Sequence, residues 1–302
     1  MVLKNKNKKV ISKKNENVKF DFKDAFRRNI GLMTQEELGS LKDYTIAIVG
    51  MGGVGSNHLM NLVRQGFSNF KIADMDEFEM HNFNRQYGAT INSLNRPKAE
   101  VMKEKALEVN PNCNIEVYDK GLSVDKFEEF FSGVDLVVDA LDFFVIELKR
   151  KYFNYAHSKK IPIITAGPMG YSCASLIFMP DGPNFDKYFG VNENTSYDDL
   201  IIHFALGLSP KLLHMSYMRN VSLENKFGPS SISAVTVCSG FVTANALKIL
   251  LGWGHIKAVP YYHQFDMMKN KYVCNRLWFG LNSPWQKLKV KIAVKMMSKK
   301  LK

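Results

Sequence analysis

The sequence predicts an α/β protein built on a doubly wound, mostly parallel sheet. Three observations carry this. Strand-like runs at residues 45–49, 69–73, 115–118, 136–140 and 161–165 alternate with segments of helical spacing. The first run, Thr45-Ile46-Ala47-Ile48-Val49, is almost continuously apolar, as a strand covered by helices on both faces must be. A glycine-rich turn, Gly50-Met51-Gly52-Gly53-Val54-Gly55-Ser56, follows it at once.

Each element has a local reason. Apolar residues recur at helical spacing over 26–41, where Thr34 and Glu37 form a capping-box pattern. Residues 56–65 predict a helix, and the strand at 69–73 ends at Asp74. The spacing predicts a helix over 97–108, with Pro97 at its first position and Asn110-Pro111 as its stop. A helix over 144–158 follows the fourth strand, and 175–179 reads as a further strand. Alternation fails over 181–230, where two short helical patterns, 197–205 and 210–218, sit among loop signals. This stretch reads as an insertion on the functional side of the sheet. Residues 233–251 predict a long apolar helix closed by Gly252. The resulting class is Rossmann-like, with an inserted helical and loop region and a basic tail at each end.

The chain has 302 residues, 46% of them hydrophobic, enough for a full core. No uninterrupted apolar run reaches the roughly 18 residues of a membrane helix. The first residues carry lysines but no apolar segment of a secretory signal. Cys113, Cys173, Cys238 and Cys274 lie far apart without a C-x-x-C pair, so no zinc is expected and a reducing, cytoplasmic setting is. The net charge of +12 is concentrated at the ends. Residues 1–19 hold seven lysines and one acid, Glu16, and residues 285–302 hold seven lysines and no acid. The first reads as a disordered arm. The body, 20–284, is close to neutral. Such tails suit an anionic partner, nucleic acid or an anionic membrane surface, and equally a solvated terminus. In the second tail, residues 287–295 alternate at period 2, yet Leu288, Ile292 and Met296 recur every fourth residue. Strand and basic amphipathic helix both remain open there.

Gly50, Gly52 and Gly55 fit G-x-G-x-x-G between a strand and a helix. Glycine allows the tight turn and lets phosphate approach the N–H groups at a helix start. Asp74, at the end of the next strand, suits a ribose hydroxyl. These features alone fit NAD, FAD or ATP. Three more favour ATP: the extra Gly53, the loop that holds Asn82, Arg85 and Gln86, and Lys98 at the next helix start. Two cations with amide donors match a triphosphate. Asp142, just past the fourth strand, offers a hard oxygen ligand for Mg²⁺.

Gly50-x-Gly52-Gly53-x-Gly55-Ser56, Asp74-x-Asp76, Asn82-x-x-Arg85-Gln86, Pro97-Lys98 and Asp139-x-x-Asp142 together resemble the ubiquitin-activating-type adenylyltransferases, the ThiF/MoeB/HesA family. The likeness covers residues 22–180 and, more loosely, 233–251. It implies the ThiF/MoeB adenylation fold and formation of an acyl-adenylate, with pyrophosphate released from ATP. Gly52 and Gly53 would cradle phosphates and Asp74 would hold the ribose. Asn82, Arg85, Gln86 and Lys98 would contact the phosphates, and Asp142 would bind Mg²⁺. Arg28, with Arg27 as the alternative, resembles an arginine donated to the partner's ATP across a homodimer interface.

The chain also departs from the family. Phe143-Phe144 follow Asp142 where many members have Asn, and the paired C-x-x-C motif and a cysteine domain are missing. Residues 82–86, 98–102 and 110–111 resemble tRNA threonylcarbamoyladenosine dehydratases, which implies tRNA as an alternative substrate. Residues 185–189, 228–231 and 261–266 look more like stand-alone bacterial ThiF-like proteins, and that likeness is favoured. Cys173, near the ligand edge, and Cys238, in the apolar helix, read as buried thiols. The expected substrate is a carboxylate on a small molecule, a peptide or a carrier protein. An NAD-dependent oxidoreductase and a non-catalytic ATP-binding module remain the competing classes.

Overall fold

The computed structural model describes residues 19–219 and 228–300. Five of the strands are β1 (Thr45–Val49), β2 (Asn69–Ala73), β3 (Asn114–Tyr118), β4 (Leu136–Asp139) and β5 (Ile163–Met169). They pair in parallel in the order β3-β2-β1-β4-β5. Strands β6 (Ser172–Phe178), β7 (Tyr261–Asp266) and β8 (Lys271–Arg276) extend the same sheet by antiparallel pairing, β8 at the edge. The order reverses at β1, between β2 and β4. In sheets of this kind such a reversal leaves a crevice at the carboxyl ends of the strands, where ligands bind.

The helices are α1 (Phe22–Ala25), α2 (Gln35–Ser40), α3 (Gly53–Gln65), α4 (Lys98–Val109), α5 (Phe127–Phe131), α6 (Ile146–Ser158), α7 (Phe185–Phe189), α8 (Tyr197–Leu208), α9 (Ile232–Leu250) and α10 (Pro284–Lys300). Alternation along β1 explains why both faces are covered. Ile46 and Ile48 join buried residues of α2, α3, α4 and α9 in one core. Ala47 and Val49 point the other way, into a core with α5, α6, α7 and α8. Helix α9 is long and apolar enough, by length and composition, to cross a membrane. Here Cys238, Val242 and Ala246 instead bury into the core shared with α3.

The Thr34–Glu37 capping box forms as predicted, with Thr34 and Glu37 each accepting from the other's backbone N–H. Helix α3 begins at Gly53, three residues before the predicted start, so the glycine turn is itself the helix N-terminus. Pro97 is the N-cap of α4, not its first residue: its ψ of 128° is extended. The segment 210–218 contributes a short 3-10 turn, Leu213–Ser216, in place of a second α-helix. The basic tail from 285 resolves as helix, because Val290 is buried and Ala293 and Val294 pack on the same core. Residues 1–18, most of the predicted arm at 1–19, lie outside the described residues.

Candidate functional site

The crevice at the head of β1 gathers most of the residues singled out in the sequence. The glycines there have two different reasons to be glycine. Gly50 has φ of 99°, and a Cβ on it would lie 2.4 Å from the Ala140 carbonyl oxygen. A Cβ on Gly55 would lie 1.8 Å from the Gly50 oxygen. Both are required by the packing of the turn against β4. Gly52 and Gly53 are not. A Cβ at Gly52 would meet only Gln86 Nε2, at 3.8 Å, and one at Gly53 would meet the Arg85 side chain from 3.5 Å outward. The space beside them is walled by Arg85 and Gln86, and Gly52 caps α3 without a side-chain partner.

The loop that carries Asn82, Arg85 and Gln86 is tied to the start of α3. Ser56 Oγ donates to the Gly52 oxygen (2.6 Å) and accepts from the Tyr87 N–H (3.0 Å). Asn57 Nδ2 donates to the Gly53 oxygen (2.7 Å) and the Arg85 oxygen (3.2 Å). Asn57 is the residue that sequence reasoning missed; it lies outside the glycine spacing, and an Asn in a helix carries no distinctive pattern. Arg85 Nη1 is aimed by the His81 oxygen (3.0 Å) and Asn84 Oδ1 (2.9 Å). Burial lowers its pKa, and Asp142 across the crevice opposes this by raising it. Gln86 is buried, and its Oε1 has no hydrogen-bond partner among the described residues. Asn82 is also buried, and its Oδ1 accepts from the Glu79 N–H (2.9 Å), so that oxygen shapes the loop.

On the other side, Asp74 Oδ2 accepts from the Met51 N–H (2.6 Å) and Oδ1 from the Asp76 N–H (2.8 Å). Each oxygen keeps a lone pair for a further donor. Burial raises the Asp74 pKa, with the two backbone donors and Lys98 opposing it. Lys98 is buried and holds the exposed Asp76 carboxylate at 2.9 Å. Asp142 is exposed, and its Oδ1 accepts from the Phe144 N–H (2.8 Å). The first acid of the Asp139-x-x-Asp142 pair is buried and works differently. Lys149 Nζ donates to both Asp139 oxygens (3.0 and 2.8 Å) and to the Leu141 oxygen (3.0 Å). Thr165 Oγ1 (2.6 Å) and Tyr152 OH also donate to Asp139. This network fixes the turn from which Asp142 projects.

Arg28 does not join the crevice. It is exposed in the 3-10 turn Arg27–Asn29, whose Asn29 bonds the Gln65 oxygen (3.0 Å) at the far end of α3. A helix of this length spans about 20 Å, well beyond an arginine's reach. Arg27 pairs with Asp24 at 3.2 Å. Cys173 and Cys238 are both buried, and burial raises the Cys238 pKa well above its usual value.

A glycine-headed helix at the reversal point, an acid on the next strand and two cations facing it define a nucleotide-type α/β site. The chain belongs to the ThiF family, whose model matches residues 26–278. It is 34% identical over 152 residues to the tRNA threonylcarbamoyladenosine dehydratase of Escherichia coli (strain K12), covering 49% of this chain and 56% of that one. It is 33% identical over 149 residues to the SUMO-activating enzyme subunit 2 of Dictyostelium discoideum, covering 49% and 22%. The chain spans about half the length of the tRNA dehydratases it matches. Among solved structures, the E. coli tRNA dehydratase in complex with AMP superposes with TM-score 0.56 and 25% identity, covering 76% of this chain and 95% of that one. PaaA superposes with TM-score 0.65 and 19% identity, covering 88% and 76%, a likeness of fold.

Proposed function

We propose that this chain is an ATP-dependent adenylyltransferase that activates a substrate carboxylate as an acyl-adenylate and releases pyrophosphate. The observation that carries the reading is the cradle at Gly52 and Gly53. Among the described residues no packing requires glycine at either position, whereas a phosphate lying on the α3 N-terminus would. Gln86 Oε1, without a hydrogen-bond partner among the described residues, and the aimed Arg85 line the same space.

The roles follow from the chemistry. Asp74 accepts from a ribose hydroxyl. Arg85 and Lys98 neutralise the phosphates, Lys98 turning from Asp76 toward the ligand. Asn82 shapes the loop and Gln86 offers its amide. The substrate carboxylate oxygen attacks the α-phosphorus; the α–β bridging bond breaks and its electrons leave with pyrophosphate. Positioning and charge neutralisation carry such a step, because no protein bond forms or breaks. Asp142 would hold Mg²⁺, which neutralises phosphate charge when bound. Among the described residues no group of three His, Cys, Asp or Glu converges on a metal. Asp142 would therefore share the ion with phosphate oxygens and water, as Mg²⁺ permits.

The distance of Arg28 from its own crevice supports donation to a partner's site in a homodimer. Exposed Leu32 beside it gives such an interface an apolar contact. A second reading takes the carboxylate from modified tRNA. The curated relatives favour it by sequence, and the lysine-rich ends suit an RNA.

Nucleotide titration tests the cradle. The wild type is expected to bind ATP more tightly than NAD, and Gly53→Ala to lose at least tenfold in ATP affinity while melting within a few degrees of wild type. Tighter NAD binding, or unchanged ATP affinity in the variant, would sink the reading. Mixing inactive Arg28→Ala and Asp142→Ala protomers tests the dimer: activity should reappear, and its absence would contradict donation in trans.

A further inference from the structure

We infer that α10, together with the aromatic turn before it, docks on an anionic lipid surface. The helix has two apolar stripes. The inner one, Val290 with Ala293 and Val294, seats it on the core. The outer one faces solvent: Trp285 is 77% exposed, Leu288 49% and Ile292 51%. Helical geometry puts these three within about 60° of one another around the axis. The turn that enters the helix adds Trp278, 61% exposed, and Phe279, 79% exposed. Phe279 has φ of 61°, a left-handed conformation that bulky residues rarely adopt. The ring is held outward while Gly280 and Leu281, just after it, are buried. Large rings and aliphatic chains facing water on one rigid element mark an interaction site.

Charge identifies the occupant. Lys287, Lys289, Lys291 and Lys295 are exposed along the same helix, and residues 285–302 contain seven lysines and no acid. Arg276 stacks on Trp278 at 3.8 Å from the ring centroid. An apolar stripe with tryptophan near one end and lysines along both flanks is the pattern of a helix lying in a membrane interface. The stripe enters the acyl boundary and the lysines reach the headgroups. A second copy of this chain is a poor occupant, since it would set lysine against lysine. Nucleic acid would neutralise the lysines but leave Leu288 and Ile292 uncovered. A convex helix face also offers no groove for an acidic peptide. An extended anionic surface with an apolar interior satisfies both the stripe and the charges.

The proposal is independent of the adenylation chemistry, and the full chain tests it. Flotation with vesicles of phosphatidylcholine alone and of phosphatidylcholine mixed with phosphatidylglycerol should show binding to the anionic vesicles only, weakening as salt rises. Tryptophan emission should shift to shorter wavelength on binding. Combined Trp285→Ser, Leu288→Ser and Ile292→Ser replacement, all at exposed positions, should reduce binding at least tenfold with an unchanged melting temperature. Lys287→Gln with Lys289→Gln and Lys291→Gln should weaken binding and flatten its salt dependence. Vesicle binding unchanged in the serine variant would overturn the proposal. So would RNA binding by a chain that ignores anionic vesicles, or equal binding to both vesicle types.

Discussion

Gly52 and Gly55 sit three residues apart, yet their reasons for being glycine differ. Gly55→Ala forces a Cβ into the Gly50 carbonyl, so it should destabilise the fold by a few kcal/mol or more, seen as a large drop in denaturant midpoint. A fold of normal stability in that variant would contradict the packing reason. His58 provides a second test at this scale. It is fully buried against Ser239 Oγ (3.0 Å), and burial pushes its pKa down to about 3 from 6.5. The unfolded chain therefore takes up a proton below about pH 6.5 that the folded chain refuses until about pH 3. Stability is full above that window and is lost as the pH falls through it, by several kcal/mol at most, at about 1.4 kcal/mol per pH unit. His58→Gln should lose less melting temperature than the wild type between about pH 7 and pH 4; parallel curves would refute the assignment. The glycines, Asp74, Arg85, Gln86 and Lys98 were legible because their chemistry and spacing repeat a known pattern. Asn57 was not, nor was the buried role of Asp139, because the sequence does not show that Lys149, Tyr152 and Thr165 converge on it.

At the scale of elements, α8, within residues 181–230, is tied to the turn that bears Asp142. Tyr197 OH donates to the Phe144 oxygen (2.8 Å), the Phe204 ring packs on Phe143, and Lys149 Nζ lies 5.0 Å from the Phe204 centroid. Were a substrate seated against α8, these contacts would link it mechanically to Asp142. Tyr197→Phe should cost about 1 kcal/mol of stability yet lower kcat several-fold with the KM for ATP unchanged; an unaltered kcat would break the link. Lys149→Met leaves the Asp139 charge buried without its cation, and a loss of about 3–5 kcal/mol is expected in denaturant unfolding. The central parallel strands were readable because β1 and β4 are almost continuously apolar and buried on both faces. The β7–β8 hairpin was not, because β7 buries His263, Gln264 and Asp266. Gln264 bonds the Lys211 N–H (2.8 Å) and Ser209 Oγ (2.6 Å), and Asp266 accepts from Tyr217 OH (2.9 Å). A strand whose inward residues are polar and satisfied by distant partners has no apolar alternation to read.

For the whole molecule, the order β3-β2-β1-β4-β5 opens one crevice, and the glycine turn, the acid after β2 and the turn after β4 all meet there. The antiparallel extension and α10 lie to one side, carrying the exposed aromatics and lysines. The proposed chemistry and the inferred lipid docking would thus fall on different parts of the molecule. The central claim is that this crevice activates a carboxylate with ATP. Pyrophosphate–ATP exchange, run with Mg²⁺ and pools of small carboxylates, peptides and tRNA, tests it most directly. The account predicts label moving from pyrophosphate into ATP with one pool and not without it, and no exchange in Asp142→Ala. Firm ATP binding without exchange in any pool would contradict it and leave a module that only binds the nucleotide.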